Sequence, residues 1–526
     1  MKINSTKNKP LYFANLASNT FYLPCLALFC LILSACVKTY TPDFDEKFSG
    51  KIRNSIRNSR PDFQVIPTAK EKSPNIILIV ADDLGYSDIG SYGGEINTPN
   101  LDKLVNNGML FTNFYSAQAV CSASRAGLLT GTYPNRIGIS GALMPYSNIG
   151  IHKNEKTIAE IVKEKGYATA IFGKWHLGHH KKFLPTNHGF DTYLGIPYSN
   201  DMWPVDFDGN QIPDTSDWRK KSYPQLPLIQ DLEKIKEIRT LEDQSTLTTL
   251  YTEKSVEFIN KNKNNPFFLY LPHSMPHVPI AVSNKFNGKS KQGLYGDLMM
   301  EIDWSVGEIM NALKKNNIDK NTLLVFTTDN GPWLNFGNHA GSTGGLREGK
   351  GTSFEGGQRV PTAMMWPNVI PKGKIVNQIA STIDLLPTIT HIVNGNLPKH
   401  TIDGINILSL LEGKDDNPRD HFLYYYGNNN LEAVRKDNWK LVLPHKSRSY
   451  KGVLPGNDGH PGKYNSIQTG LELYNLRRDP GEEYNVIDLY PEIVKEIEEL
   501  VEKARRDLGD NLTERKGNNI RSVGTL

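Results

Sequence analysis

Cysteine is scarce in this chain of 526 residues. There are four, Cys25, Cys30, Cys36 and Cys121, and so few in so long a chain exclude a disulfide framework. Neither sign of charge dominates. Sixty Lys and Arg face 56 Asp and Glu, a net charge of +4, which excludes a chain-wide basic surface of the nucleic-acid-binding kind. Long apolar runs are missing too. The longest, from Phe21 to Ala35, is shorter than the ~20 residues a membrane-spanning helix needs. Internal repeats and low-complexity tracts are absent. What remains, 38% hydrophobic and 22% charged residues, is an ordinary globular composition.

The first residues read as an address. Lys2, Lys7 and Lys9 precede the apolar stretch, which ends in Leu33-Ser34-Ala35-Cys36. Small residues just after an apolar stretch mark a secretory cleavage site. The Leu-Ser-Ala-Cys order resembles a bacterial lipobox, which implies cleavage before Cys36 and lipid attachment to its sulfur. Residues 1–35 are then a lipoprotein signal peptide and 36–73 a polar, flexible tether. The expected location is the bacterial cell envelope, lipid-anchored at the outer membrane, on its periplasmic or surface face. The mature chain keeps only Cys121, which is either buried and inert or chemically used.

From Pro74 onward strand and helix signals alternate. Asn75 to Val80 is a short, almost wholly apolar run, as a strand buried on both faces should be. Ala168–Phe172, Pro266–Leu271 and Thr322–Thr327 read as further strands. A helix opens at Pro99 with Thr98 as its cap, and another runs from Thr157 to Lys165. This alternation predicts an α/β domain over 74–414, with a large, mostly parallel sheet sandwiched by helices. Residues 204–245 read as irregular insertions near the site mouth. Short antiparallel strands at 421–426, 432–435, 439–442 and 471–476, then an amphipathic helix over 491–508, predict a small C-terminal α+β subdomain over 415–510. Residues 511–526 read as a polar tail.

Polar residues gather where the predicted strands end, and in open α/β sheets ligands bind beyond the carboxyl ends of the strands. Asp82 and Asp83 follow the first strand, and Asp329 and Asn330 follow the fourth. Lys174 and His176 follow the second, and His273 and His277 follow the third. Three carboxylates and an amide oxygen form a hard oxygen set suited to Ca²⁺ or Mg²⁺. Cys121 precedes a predicted helix over 124–129, where free N–H groups favour an anion. Arg125 lies four residues on, within reach of the same helical face. A nucleophile beside a cation at such a helix end suits transfer of an anionic group.

Six segments together resemble the formylglycine-dependent sulfatase family. Cys121-Ser-Ala-Ser-Arg125, followed by Leu128-Leu129-Thr130-Gly131, is similar to its signature. Asn75 to Gly85, Gly173-Lys-Trp-His-Leu-Gly178, Pro276-His277-Val278-Pro279, Thr328-Asp329-Asn330-Gly331, and Gly349-Lys350-Gly351-Thr352 with Glu355 to Pro361 resemble its other motifs, in order. The resemblance spans about 73 to 510. Gly189-Phe190-Asp191 and Gly195 to Asp201 lean toward the arylsulfatase A-like branch. The family implies an alkaline-phosphatase-like sulfatase fold. It also implies oxidation of Cys121 to formylglycine (3-oxoalanine) by a maturase. Ala123 stands where many members have proline, which leaves open which maturase acts.

The resemblance further implies that Asp82, Asp83, Asp329, Asn330 and the modified Cys121 hold one Ca²⁺. Arg125, Lys174 and Lys350 would steady the negative charge. His277 or Lys350 would protonate the leaving oxygen, and His176 would take the second proton. Ser199, His273 and Trp203 are expected to touch substrate, with Trp333 and His339 in loops that could line a sugar site. The function implied is a sulfuric ester hydrolase acting on a sulfated carbohydrate, an algal polysaccharide such as ulvan first. Two alternatives stay open: a phosphonate or phosphodiester hydrolase of the same superfamily, and an unconverted glycan-binding surface lipoprotein. No nucleic-acid partner is expected.

Overall fold

Ten strands of the described residues form one sheet. They belong to a computed structural model that describes residues 73–212, 218–414 and 416–526. The signal peptide, Cys36 and the tether up to residue 72 lie outside the described residues. In chain order the strands are β1 (Asn75–Ala81), β2 (Met109–Phe111), β3 (Ala168–Phe172), β4 (Thr192–Gly195) and β5 (Leu226–Gln230). They continue with β6 (Glu233–Ile238), β7 (Phe267–Pro272), β8 (Thr322–Thr328), β9 (Thr362–Met365) and β10 (Lys374–Val376). Their order across the sheet is β10-β2-β9-β8-β1-β7-β3-β4-β5-β6.

The centre is parallel: β1 lies between β8 and β7, and β7 continues to β3 and β4. Register carries the site, because Ala81 stands opposite Thr328 and Val80 opposite Pro272. The chain therefore leaves neighbouring strands at one level, just before Asp82, Asp329 and His273. Outside this centre the pairs are antiparallel, except that the edge strand β10 runs parallel to β2.

Alternate residues of β1 enter different apolar layers. Ile77 and Ile79 pack with helices α1 (Pro99–Asn106), α4 (Leu247–Asn262) and α5 (Gly293–Lys315). Ile76, Leu78 and Val80 pack with α2 (Cys121–Thr130), α3 (Ile158–Glu164) and α6 (Leu385–Ile392). A strand covered on both faces has no polar alternation to show, which is why β1 reads as an unbroken apolar run.

Three expectations need correction. The 204–245 stretch is not irregular throughout, since β5 and β6 form a hairpin that extends the sheet from β4. Pro227 and the exposed charges of Glu233, Lys234 and Lys236 mask its strand signal, and such charges suit an edge strand. Thr98 does not cap α1 with its side chain. Its Oγ1 accepts from Gly90 N–H, while Asp303 Oδ1 on α5 accepts from Asn100 and Leu101 N–H at 2.9 and 2.8 Å. The segment 511–526 is no loose tail. Gly524 and Thr525 pair with Gly150 and Ile149, and Arg521 binds both oxygens of Glu155 at 2.7 and 2.8 Å. At α3 the sequence signal is complete, for Thr157 and Glu160 form a reciprocal capping box.

The C-terminal subdomain is an antiparallel sheet of β11 (His421–Tyr426), β12 (Asn430–Lys436), β13 (Trp439–Val442) and β16 (Glu472–Asn475). A separate hairpin pairs β14 (Lys446–Ser449) with β15 (Asn465–Gln468). Helix α7 (Pro491–Leu508) lays Ile497, Val501, Ala504 and Leu508 on the sheet, in a core shared with Tyr115, Tyr133 and Ile383 of the larger domain.

Candidate active site

The strand ends converge. Asp82 follows β1 and is fully buried. Its Oδ2 meets Lys174 Nζ at 2.6 Å, and its Oδ1 lies 3.4 Å from Arg125 Nη2. Burial works to raise its pKa, but Lys174, Arg125 and Lys350 together hold it below the usual carboxylate range. Asp83 meets Lys350 Nζ at 2.8 Å and His277 Nε2 at 3.5 Å. Here burial wins, aided by Asp82 and Asp329, and pushes the carboxyl up to about 7. Arg125 binds Asp329 Oδ2 through Nε at 2.9 Å and Nη2 at 2.7 Å, and Nη1 donates to the Lys174 carbonyl. Its charge is thus committed behind the carboxylates.

Cys121 opens α2, whose N-cap Val120 is extended. Its Sγ lies 3.3 Å from Lys350 Nζ and 3.7 Å from Asp82 Oδ1. Asp83 and His176 both adopt left-handed backbone, φ 64° and 62°. For side chains of this kind that conformation is uncommon, and it clusters at functional sites. Gly173 makes the tight exit from β3: a Cβ there would lie 1.9 Å from the Pro272 carbonyl oxygen.

The two histidines are held by carbonyls, which assigns their protons. His277 Nδ1 lies 2.6 Å from the Val278 carbonyl and therefore donates, leaving the Nε2 lone pair toward Asp83 and Ser199. His176 Nε2 donates to the Leu143 carbonyl at 3.0 Å, and its buried Nδ1 has no partner. Burial, then nearby lysines, pushes both rings well below the usual histidine pKa. Ser199 Oγ accepts from Lys174 Nζ at 3.0 Å.

A cation is compatible with this donor set. One ligand atom each from Asp82, Asp83, Cys121 and His277 lies within 4.8 Å of the others. Asn330 Oδ1 is a buried oxygen with no partner, beside the Asn330 Nδ2 contact to Asp83 at 2.7 Å. Such hard oxygens suit a divalent ion. Asp329 borders this set, its Oδ1 accepting from the Asp83 N–H at 3.2 Å.

Two of the expected substrate contacts move away. His273 is wholly buried with Nε2 3.2 Å from Ser305 Oγ of α5, and Trp203 is 1% exposed within the apolar core. Trp333 keeps its place, with Lys350 Nζ 4.7 Å from its ring centroid and the His277 ring at 5.7 Å. It lines a cavity of about 320 Å³ with Asp201, Tyr223, Phe336, Arg448 and Tyr464. His339 stands behind Gly459 at the cavity rim. Asp201, Arg448 and Tyr464 were not anticipated as site residues. Asp201 sits in a quoted motif, whereas no local pattern marks the other two.

A buried helix-start residue ringed by carboxylates and lysines, beside an aromatic cavity, defines an enzyme that transfers an anionic group. The family model for sulfatases matches residues 74–395, and that for the C-terminal region of aryl-sulfatase matches 417–522. Bovine (Bos taurus) arylsulfatase A is 36% identical over 453 residues, covering 83% of this chain and 87% of its own. Mouse (Mus musculus) N-acetylgalactosamine-6-sulfatase is 35% identical over 83% of this chain and 86% of its own. The PsFucS1 sulfatase of Pseudoalteromonas sp. superposes with a TM-score of 0.72 at 27% identity, covering 82% of this chain and 91% of that one. A Bacteroides thetaiotaomicron protein of glycosaminoglycan metabolism does so with 0.68 at 31%, covering 83% and 100%. The chain belongs to the sulfatase family, in its arylsulfatase A-like branch, and is a sulfuric ester hydrolase.

Proposed function

We propose that this protein removes sulfate from a sulfated carbohydrate, using a formylglycine made from Cys121 and one Ca²⁺, as an exported lipid-anchored enzyme. The observation that carries the reading is Cys121 at the first turn of α2, within 3.3 Å of Lys350 and 3.7 Å of Asp82. The aromatic cavity beside it suits sugar rings, whose apolar faces pack on aromatic side chains. Relatives support the substrate class: one neighbour, Ps i-CgsB, is bound to a neocarrahexaose at 29% identity and a TM-score of 0.65. Ulvan remains the first substrate to try, beside carrageenan, fucan and glycosaminoglycan fragments. The anchor rests on Cys36 and the preceding apolar stretch alone.

Asp82, Asp83, Asp329 and Asn330 would hold the ion, which would polarise the sulfate and favour ionisation of a neighbouring hydroxyl. Formylglycine would supply, as its hydrate, the attacking hydroxyl and a second one through which sulfate is later expelled. Lys174 and Lys350 would face the incoming anion, balancing the charge that spreads over it. Lys350 keeps its proton firmly because Asp83, helped by Asp82, outweighs its burial. Proton delivery to the departing oxygen therefore falls to His277 Nε2. Burial first, and the lysine charges after it, keep this ring neutral, and the anionic ester would offset the second of these, favouring a proton on Nε2 as substrate enters. His176 Nδ1, buried and without a partner, would take the proton of the second hydroxyl.

The test is free sulfate released from defined oligosaccharides by protein co-expressed with a maturase. Release from one glycan is expected. Turnover of phosphonate or phosphodiester esters alone would move the reaction to that alternative. Chelation gives a separate readout. Without the ion, Asp82, Asp83 and Asp329 repel one another, so EGTA should lower the unfolding temperature. Re-adding Ca²⁺ at a hundredfold excess over Kd should restore about 3 kcal/mol, measured by thermal denaturation without any substrate.

A further inference from the structure

The cations nearest the reacting centre are all spoken for. Lys174, Lys350 and Arg125 each meet a carboxylate. Arg448, on β14 of the C-terminal subdomain, does not. Its Nη1 donates to Tyr450 Oη at 3.3 Å, and its guanidinium carbon lies 4.4 Å from the Tyr464 ring centroid. Among the described residues no acid forms an ion pair with it, and the hydroxyls of Tyr450 and Tyr426 stand beside it. Neither of the acids that share its cavity, Asp201 and Asp206, pairs with it. Asp206 Oδ1 accepts from the Asp208 and Asn210 N–H groups at 3.0 and 2.8 Å, and Asp201, whose buried Oδ1 has no partner, forms no ion pair with Arg448.

Arg448 is also close to the chemistry. A methyl group on Gly351, next to Lys350, would lie 3.1 Å from Arg448 Nη1. Tyr450 Oη, which accepts from Arg448, donates in turn to the Lys350 carbonyl at 3.2 Å. Arg448 is thus the next cation outward from Lys350, on the wall of the same cavity as Trp333. A partly buried guanidinium without a counter-ion carries a desolvation cost that an anion at the cavity would offset. The Tyr464 ring, 52% exposed, backs its plane, and Phe207, 39% exposed, adds an apolar face to the cavity.

We propose that Arg448 is a specificity-determining residue that binds a second anionic group of the substrate, a uronate carboxylate or an additional sulfate, while the scissile ester sits at Cys121. A planar guanidinium can grip either group through two parallel N–H donors. The inference rests on the sulfatase function proposed above and narrows it: the enzyme favours sugars carrying two negative groups over those carrying one.

The experiment compares kcat/KM within two substrate pairs. One is an unsaturated chondroitin-type 6-sulfated disaccharide and its carboxyl methyl ester. The other is galactose 2,6-disulfate and galactose 6-sulfate. Hydrogen bonds to charged groups predict that the parent favours the doubly anionic member of one pair by about 30-fold, and which pair shows it names the group. Arg448→Met should erase that preference, mainly through KM, and Arg448→Lys should keep part of it. Tyr464→Leu, which removes the backing hydroxyl and ring but keeps the charge, should weaken it without touching the Lys350 segment. It also stands in if Arg448→Met does not fold, which thermal unfolding will reveal. A preference that survives Arg448→Met, or a parent without preference in either pair, overturns the subsite and leaves the sulfatase reading standing. No sulfate from any of the four or from ulvan, carrageenan and fucan fragments, with Cys121 converted, overturns both.

Discussion

Cys121→Ala is expected to remove sulfate release, by at least about a thousandfold, without unfolding the protein. The unmodified thiol is badly suited to act. Burial pushes its pKa up to about 12, and the nearby Lys174 and Lys350 do not undo this. At neutral pH it is a protonated thiol, and the thiolate is the nucleophilic form. Yet the surroundings are built for an anion, with Lys350 Nζ at 3.3 Å and Lys174 bound to the neighbouring Asp82. A group that gains a reactive hydroxyl in place of the sulfhydryl resolves the mismatch. Intact mass of natively expressed protein should therefore show residue 121 having lost sulfur and two hydrogens and gained oxygen. Full activity with an intact thiol, or in Cys121→Ala, would sink this account. So would inactivity traced to unfolding, so the variant's melting curve belongs to the same experiment. Alanine removes only one buried atom at a helix start, and its propensity favours the helix.

Much of this site was legible because strand ends are legible. Apolar runs of five to seven residues, each followed by Asp, Lys or His, can be aligned once the strands are assumed parallel. The register of β1 with β7 and β8 then brings Asp82, Asp329 and His273 to one level. What a strand end does not reveal is where the next side chain points. His273 follows β7 more closely than His277 does, but its backbone N–H continues the ladder to the Val80 carbonyl and its ring meets Ser305. Trp203 likewise satisfies the core rather than a sugar. The β5–β6 hairpin was hidden by its own edge charges. Arg448 was hidden because its meaning depends on a missing counter-ion, a property of the assembled cavity and of no local pattern. The pinning of the last residues to Gly150 and Glu155 is similarly a matter of long-range complementarity.

Lys440→Met should cost about 3–5 kcal/mol at pH 8, the usual penalty for leaving buried charge without its partner. Lys440 is wholly buried and holds two carboxylates at once, Glu355 at 3.1 Å and Glu482 at 2.8 Å. One ammonium cannot satisfy both equally. Glu355 also accepts from the Tyr115 and Tyr424 hydroxyls, at 2.6 Å each, and lies near Arg359. Burial works to raise its pKa, but Lys440, Arg359 and Arg435 bring it down to about 2. Glu482 has less help, and burial pushes it up to about 7 despite Lys440. The sign of the pH dependence follows. Between its reference value of 4.5 and about 7, the folded protein binds the Glu482 proton more tightly than the unfolded chain does. Stability contributed there is present in acid and is lost as pH rises. Removing Lys440 drives Glu482 higher still, so the loss in Lys440→Met should be clearly smaller at pH 5.5 than at pH 8. Adding Glu482→Gln should flatten that difference. Denaturant unfolding of parent, single and double variants at both pH values measures all of this. An equal loss at both pH values would mean that Lys440 matters for packing alone, for example against the Tyr424 ring 3.9 Å away. The network also reaches the reaction. The Glu355 N–H donates to Glu482 Oε2 at 2.8 Å, and Glu355 ends the short stretch that begins with Lys350. The same buried charges that join the C-terminal sheet to the larger domain therefore set the segment that carries Lys350. Loosening them should lower turnover before the protein unfolds.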